Sequence, residues 1–161
     1  MRHPDIHSRP LSQDAETVRT AAVLDGYVVE EQVGFLMRRA NQRHTAIFTE
    51  AMAVVELTPT QFTALVKVAE LGRVTQNHLG RLSAMDPATI QGVVRRLMDR
   101  GLVTRTADPL DRRATVLALT PAGLALAEQA VVAARRITEA TLDPLSADER
   151  RQLLSLLVKL G

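Results

Sequence analysis

Cysteine is absent from these 161 residues. Its absence excludes disulfides, thiolate metal ligands, cysteine nucleophiles and cysteine-based redox sensing. Tryptophan is absent too, and one tyrosine with three phenylalanines is too few for a platform on which single-stranded bases could stack. No apolar run approaches a membrane span, and no basic start followed by an apolar segment marks the chain for export. A cytoplasmic protein without membrane contact is therefore expected. Lysine is nearly missing, with Lys67 and Lys159 the only two, so the basic residues are almost all arginines. Arginine suits bidentate contacts to phosphate and guanine. A strong net charge is missing as well. At +2 the chain is no nonspecific polycation, and any nucleic-acid role has to rest on where the charges lie. No nucleophile–base pair, phosphate loop or paired carboxylates stand out, so neither an enzyme nor a cofactor is indicated. His3 and His7 have helical ligand spacing, but Pro4 intervenes, and no metal site is assigned.

The content that is present concentrates between Met85 and Thr120, MDPATIQGVVRRLMDRGLVTRTADPLDRRATVLALT. Asp86 caps a short helix with Pro87 at its first position. On that helix Ile90, Val93, Val94 and Leu97 fall on one side, the stripe to be buried. Ala88, Gln91, Gly92, Arg95 and Asp99 fall on the other, with Thr89 and Arg96 at its flanks. Small residues near the helix start let the backbone approach base edges. Gln91 can bond adenine and Arg95 can reach guanine or phosphate, while the helix start itself favours phosphate. A solvated surface helix would look much the same. The next segment separates the two readings. Gly101 stops the helix, and Leu102–Thr106 and Ala114–Leu119 alternate as two strands around the turn Asp108-Pro109-Leu110-Asp111-Arg112-Arg113. Pro109 fits the turn, and Asp111 can hold a nearby arginine by a local ion pair. Minor-groove electronegativity attracts an arginine at such a tip.

The flanking segments frame this device. Residues 1–25 carry Pro4 and Pro10, lack periodicity and read as a loose arm. From Val28 to Val55 apolar residues recur at a helical period, which predicts one long helix. Leu57-Thr58-Pro59 breaks it. Thr58 caps a helix bearing Phe62, Leu65, Val66 and Ala69 and ended by Gly72, and Thr75 caps a short one through Leu79 and Leu82. That short helix and the one after Asp86 form a helix-turn-helix, with His78 on its first helix facing phosphate or solvent. Thr120-Pro121 opens an alanine-rich helix to about Leu142. After Asp143-Pro144, Ser146 and Glu149 make a capping box for a last helix. Six apolar residues between Leu153 and Leu160 exceed what one face of a monomer helix can bury, so burial against a second copy is expected.

LTPTQFTALVKVAELG, TQNHLGRLSAMDPATIQGVVRRLMDRGLV, DPLDRR and LTPAG together resemble the MarR-type winged-helix transcription regulators, from about Val28 onward. The resemblance implies a homodimer on a pseudo-palindromic operator, released by a small ligand. It places the Asp-x-Arg wing pattern on Asp111 and Arg113, making Arg113 the minor-groove residue and Arg112 a phosphate contact. Seven basic against four acidic residues between Gln76 and Arg113 agree with it. The expected fold is mainly α with a small β-hairpin wing: a winged helix-turn-helix with N- and C-terminal dimerisation helices. Its parts are the arm 1–25, a dimerisation and pocket helix 26–56, the DNA-binding domain 57–120 and C-terminal dimerisation helices 121–161. Two reading helices should then stand about 34 Å apart. In this family ligands commonly bind between the dimer helices and the reading domain. His44, on the apolar stripe of the long helix, also suits a plain core or interface residue. With Phe35, Arg38, Asn41, Phe48 and Phe62, however, it could wall a pocket for a small aromatic carboxylate or its CoA thioester. FLMRRANQRHTAIF resembles the branch of the family tied to aromatic-compound catabolism. The alternative is a winged-helix scaffold that binds a protein partner. Salt separates the two, because each phosphate neutralised adds roughly −0.9 to the slope of log affinity against log salt.

Overall fold

The computed structural model describes residues 26–108 and 115–161. The N-terminal arm and the wing tip with Asp111, Arg112 and Arg113 lie outside the described residues. The chain separates at Ala40/Asn41 into two units.

In the first unit a 3-10 turn, Val29–Glu31, leads into helix α1, Val33–Ala51, which continues into the second unit. Gln32 ends the turn, and its side-chain Nε2 donates back to the Val28 carbonyl at 2.8 Å. Arg38 stacks its guanidinium over the Phe35 ring, 5.1 Å from the centroid. Val33, Leu36 and Met37 are exposed.

α1 is shorter at both ends than the helix expected over Val28–Val55. At its C-terminal end, residues Met52–Glu56 form turns in which the Met52 carbonyl accepts from Val55 and Glu56. Glu56 has a positive φ of 52°. Met52, Val55 and Leu57 are nevertheless buried. Apolar spacing reports burial, and here burial outlasts the helix.

The second unit is a helical core with a two-stranded ribbon. Helices α2 (Pro59–Leu71), α3 (Gln76–Leu82) and α4 (Pro87–Asp99) precede strands β1 (Val103–Ala107) and β2 (Thr115–Leu119), followed by α5 (Pro121–Leu142) and α6 (Ala147–Leu160). The starts are set by side-chain caps. Thr58 accepts from the Gln61 amide while the Gln61 side chain accepts from the Thr58 amide, a capping box that buries Gln61 usefully. Thr75, Thr120 and Ser146 cap α3, α5 and α6. Gly72 ends α2 with φ 70°, a left-handed conformation that costs a glycine little.

Leu65, Val68, Leu79, Ile90, Val93, Val94, Leu97 and Leu117 fill the core, with Phe48 from α1 and Met52 from the turn after it. The ribbon is antiparallel, with Val103 opposite Leu119 and Arg105 opposite Leu117. Val74 adds a single bridge to Leu117, which anchors the ribbon to the segment before α3. Its far end is tied to α5: the Thr120 hydroxyl donates to the Gly101 carbonyl at 2.7 Å, and the Thr120 amide donates to the Leu102 carbonyl at 3.0 Å. α6 buries none of its residues, and Leu154, Leu156, Leu157, Val158 and Leu160 are exposed.

Candidate DNA-reading site

α3 and α4 meet through the turn Ser83-Ala84-Met85. Ala84 takes φ 51° there, and the Met85 amide donates to the Gly80 carbonyl at 2.9 Å. Gly80 matters to this junction because a Cβ would stand only 3.2 Å from Ile90 Cγ2 and 3.3 Å from the Met85 carbonyl oxygen. Close contact of the two helices fixes the angle at which α4 leaves the core.

The Asp86 carboxylate organises the start of α4. It accepts from the amides of Ala88 and Thr89, each at 2.9 Å, and from the Thr89 hydroxyl at 2.6 Å. The Thr89 hydroxyl bond, then the backbone amides, hold this carboxyl below the usual carboxylate range. Thr89, expected at the edge of the reading face, thus spends its hydroxyl proton on the cap.

Ile90, Val93, Val94 and Leu97 are buried as expected. The opposite face lines an open groove of about 570 Å³. Ala88, Gln91, Gly92 and Arg95 all line it, together with Met98 and Asp99 further along α4. Four of the expected reading residues therefore share one concave surface, and Arg96 is exposed beside it. Val94 of the buried stripe also reaches it, and Gln76 from α3 and Arg105 from β1 complete the wall. Nothing in the sequence singles out either. Met98 has a signal, since it stands three residues after Arg95 and seven after Gln91, on the same helical face.

Arg100 departs from the expected charge pattern. Counted among the basic residues of the reading region, it points the other way. Its Nη1 donates to the Glu56 carbonyl at 2.7 Å and its Nη2 to the Val55 carbonyl at 3.0 Å. A guanidinium fork thereby joins the end of α4 to the turn after α1. His78 is exposed, as expected.

The residues expected around a ligand divide. His44, Phe48 and Phe62 form a row, with ring centroids 6.3 Å apart for the first pair and 5.9 Å for the second. His44 Nδ1 lies 3.1 Å from the Thr141 hydroxyl on α5, and the neighbouring Arg43 donates to the Ala140 carbonyl at 3.0 Å. Asn41 instead lines a shallow concavity of about 680 Å³ with Gln42, Thr45, Ala46, Thr49 and Glu50. Phe35 and Arg38 belong to the first unit, where they stack on one another.

This geometry can be set beside known proteins. The MarR family profile matches residues 57–115, from just before α2 to the start of β2. The HTH-type transcriptional repressor NicR of Pseudomonas putida is 42% identical over 147 residues, 90% of this chain and 93% of NicR. The chain belongs to the MarR family. Among solved structures, a probable transcriptional regulator from Pseudomonas aeruginosa is 48% identical. It has a TM-score of 0.80 and covers 83% of this chain and all of its own. BpsR of Bordetella bronchiseptica, whose DNA binding is regulated by 6-hydroxynicotinic acid, is 40% identical with a TM-score of 0.79 over 83% of this chain and 96% of its own.

The chain is accordingly a DNA-binding transcriptional repressor of the MarR type with the winged-helix fold, and not an enzyme. That decides against the protein-binding scaffold. Among the described residues no helix is long and apolar enough to cross a membrane.

Proposed function

We propose that this MarR-family repressor binds a pseudo-palindromic operator as a homodimer and leaves it when a small aromatic carboxylate, or its CoA thioester, binds. The observation that carries the DNA half is the groove in front of α4, where Ala88, Gln91, Gly92 and Arg95 stand together. A major groove about 12 Å wide admits such a helix. Small side chains at Ala88 and Gly92 let it approach, and Gln91 and Arg95 supply the hydrogen-bond donors. The segment that joins β1 to β2 enters the adjacent minor groove, where the family resemblance assigns Arg113 to the groove and Arg112 to phosphate. The exposed leucines of α6 and the exposed Val33, Leu36 and Met37 of α1 supply apolar surface for the second copy.

The effector half is supported by the row His44–Phe48–Phe62, which sets a polar ring beside two aromatic ones. BpsR supports it too, because its regulator is an aromatic carboxylic acid. A route from that row to the reading helix is short. α1 carries His44 and Phe48, the turn after it presents the Val55 and Glu56 carbonyls, and Arg100 grips both from the end of α4. An effector that shifts α1 would therefore move α4 in each subunit and change the separation of the two reading helices. It can do so only by its differential affinity, about 1.4 kcal/mol for each tenfold loss of operator affinity.

The test is binding to the intergenic DNA upstream of the protein's own reading frame, over a salt series, with 6-hydroxynicotinate, benzoate-type acids and their CoA thioesters as added compounds. Salt-steep dimeric binding released by one class supports both halves. Tight binding released by none discards the effector reading and keeps the repressor. Arg113→Ala should weaken operator binding while dimerisation and fold persist, and undiminished affinity would remove the wing from the docking.

A further inference from the structure

The groove in front of α4 has a wall that the recognition helix does not supply. Arg105 stands in the middle of β1, exposed, and its Nη2 donates to the Gln76 Oε1 at 2.7 Å. Gln76 is the first residue of α3 and is half-buried. The bond links the ribbon to the helix-turn-helix within the wall of the groove, which both residues line.

Where this pair stands gives it a task. A helix in the major groove and a hairpin tip in the next minor groove straddle one sugar–phosphate strand. That strand has to pass between α4 and the ribbon, along the groove that Arg95 and Arg105 both line. Against these two arginines the groove lining contains one acidic side chain, Asp99. The choice of partner also matters. A glutamine carbonyl oxygen orients a guanidinium without neutralising it, whereas a carboxylate at position 76 would cancel the charge. A long arginine held through one nitrogen loses less rotamer freedom when a phosphate arrives, because part of its ordering has been done already.

We propose that Arg105 grips the phosphodiester strand lying between the two grooves, and that Gln76 is the positioning residue that presents it. The proposal rests on the docking described above but assigns a contact to the ribbon's flank, not to its tip or to α4.

The experiment compares the full-length protein with Arg105→Ala, Gln76→Ala and Gln76→Glu on its upstream intergenic duplex and on duplexes with altered half-sites, each over a salt series. Arg105→Ala should weaken all duplexes by a common factor of about ten or more, and lower the salt slope by roughly 0.9 per protomer. Gln76→Glu keeps the arginine and pairs it, so it should lower the slope nearly as much. Gln76→Ala should cost affinity with the slope retained. That split between charge and positioning would not arise from a merely structural pair. Thermal melts of each variant identify any that fails to fold, and the two Gln76 variants carry the test if Arg105→Ala does so. An unchanged slope in both Arg105→Ala and Gln76→Glu overturns the proposal. So does a loss confined to the unaltered duplex, which would make Arg105 a reader of bases. Failure of the unsubstituted protein to bind would instead overturn the docking on which the proposal rests.

Discussion

Three hydrogen bonds from the first turn of α4 converge on the Asp86 carboxylate, and all three favour its charged form. Its pKa is therefore lower in the folded protein than in the unfolded chain. A group shifted in that direction adds stability above its unfolded value, about 3.9, and that stability disappears as the pH falls through the lower folded value. Glu149 behaves alike in the capping box of α6, held down first by the Ser146 hydroxyl and then by its amide. Melting temperatures of the wild type and Asp86→Asn between pH 7 and pH 3 should differ by a constant amount down to about pH 4 and begin to converge only below it. A gap independent of pH would mean that the charge plays no part in the cap. Gly123 tests a different force. It lies in the first turn of α5, where any β-carbon would overlap the backbone carbonyl of Leu102. Backbone cannot rotate aside as a side chain can. Gly123→Ala should therefore cost about 1–3 kcal/mol in chemical denaturation, and a neutral result would show that α5 slides freely on the ribbon base.

At the scale of elements, helix starts are legible in the sequence because each is written in a few adjacent residues. Thr58-Pro59, Thr75, Asp86-Pro87, Thr120-Pro121 and Ser146 all cap where their chemistry says they should. The end of α1 is not legible, since Met52 and Val55 keep the apolar rhythm after the backbone has turned. Charge counting misplaces Arg100 for a related reason. A count along the chain carries no direction, and the acceptors that turn Arg100 away, the carbonyls of Val55 and Glu56, are more than forty positions distant. The Gln76–Arg105 bond, spanning 29 positions, is hidden in the same way. α6 is legible in composition, and its exposure reflects having more leucine than its own subunit covers. Leu157→Asp should shift the protein toward monomer in sedimentation and abolish tight operator binding, leaving helical content near that of the wild type. A monomer that still binds the full operator tightly would contradict the second copy as the cover for this helix.

At the scale of the whole molecule, the proposed reading and sensing fall to different residues around a single core. In that proposal α4 reads, while α1 carries the His44–Phe48 end of the aromatic row and Phe62 on α2 closes it. Because the His44 ring is half-buried against the Thr141 hydroxyl, its loss removes one polar contact between α1 and α5 without opening the core around Leu65 and Leu97. His44→Ala should therefore keep operator affinity within a few fold of the wild type. Its response to the effector should fall much further, by about tenfold for each 1.4 kcal/mol of ligand contact removed. The two quantities separate in one titration series, operator affinity measured against increasing 6-hydroxynicotinate or another acid that releases the wild type. If the variant releases operator at the same acid concentration as the wild type, His44 serves only to join two helices. If operator binding itself collapses without added acid, the α1–α5 contact holds the DNA-binding conformation in place. A normal affinity with a blunted release is the one result that makes His44 part of the sensor, because only then does the ring distinguish the two states of the repressor.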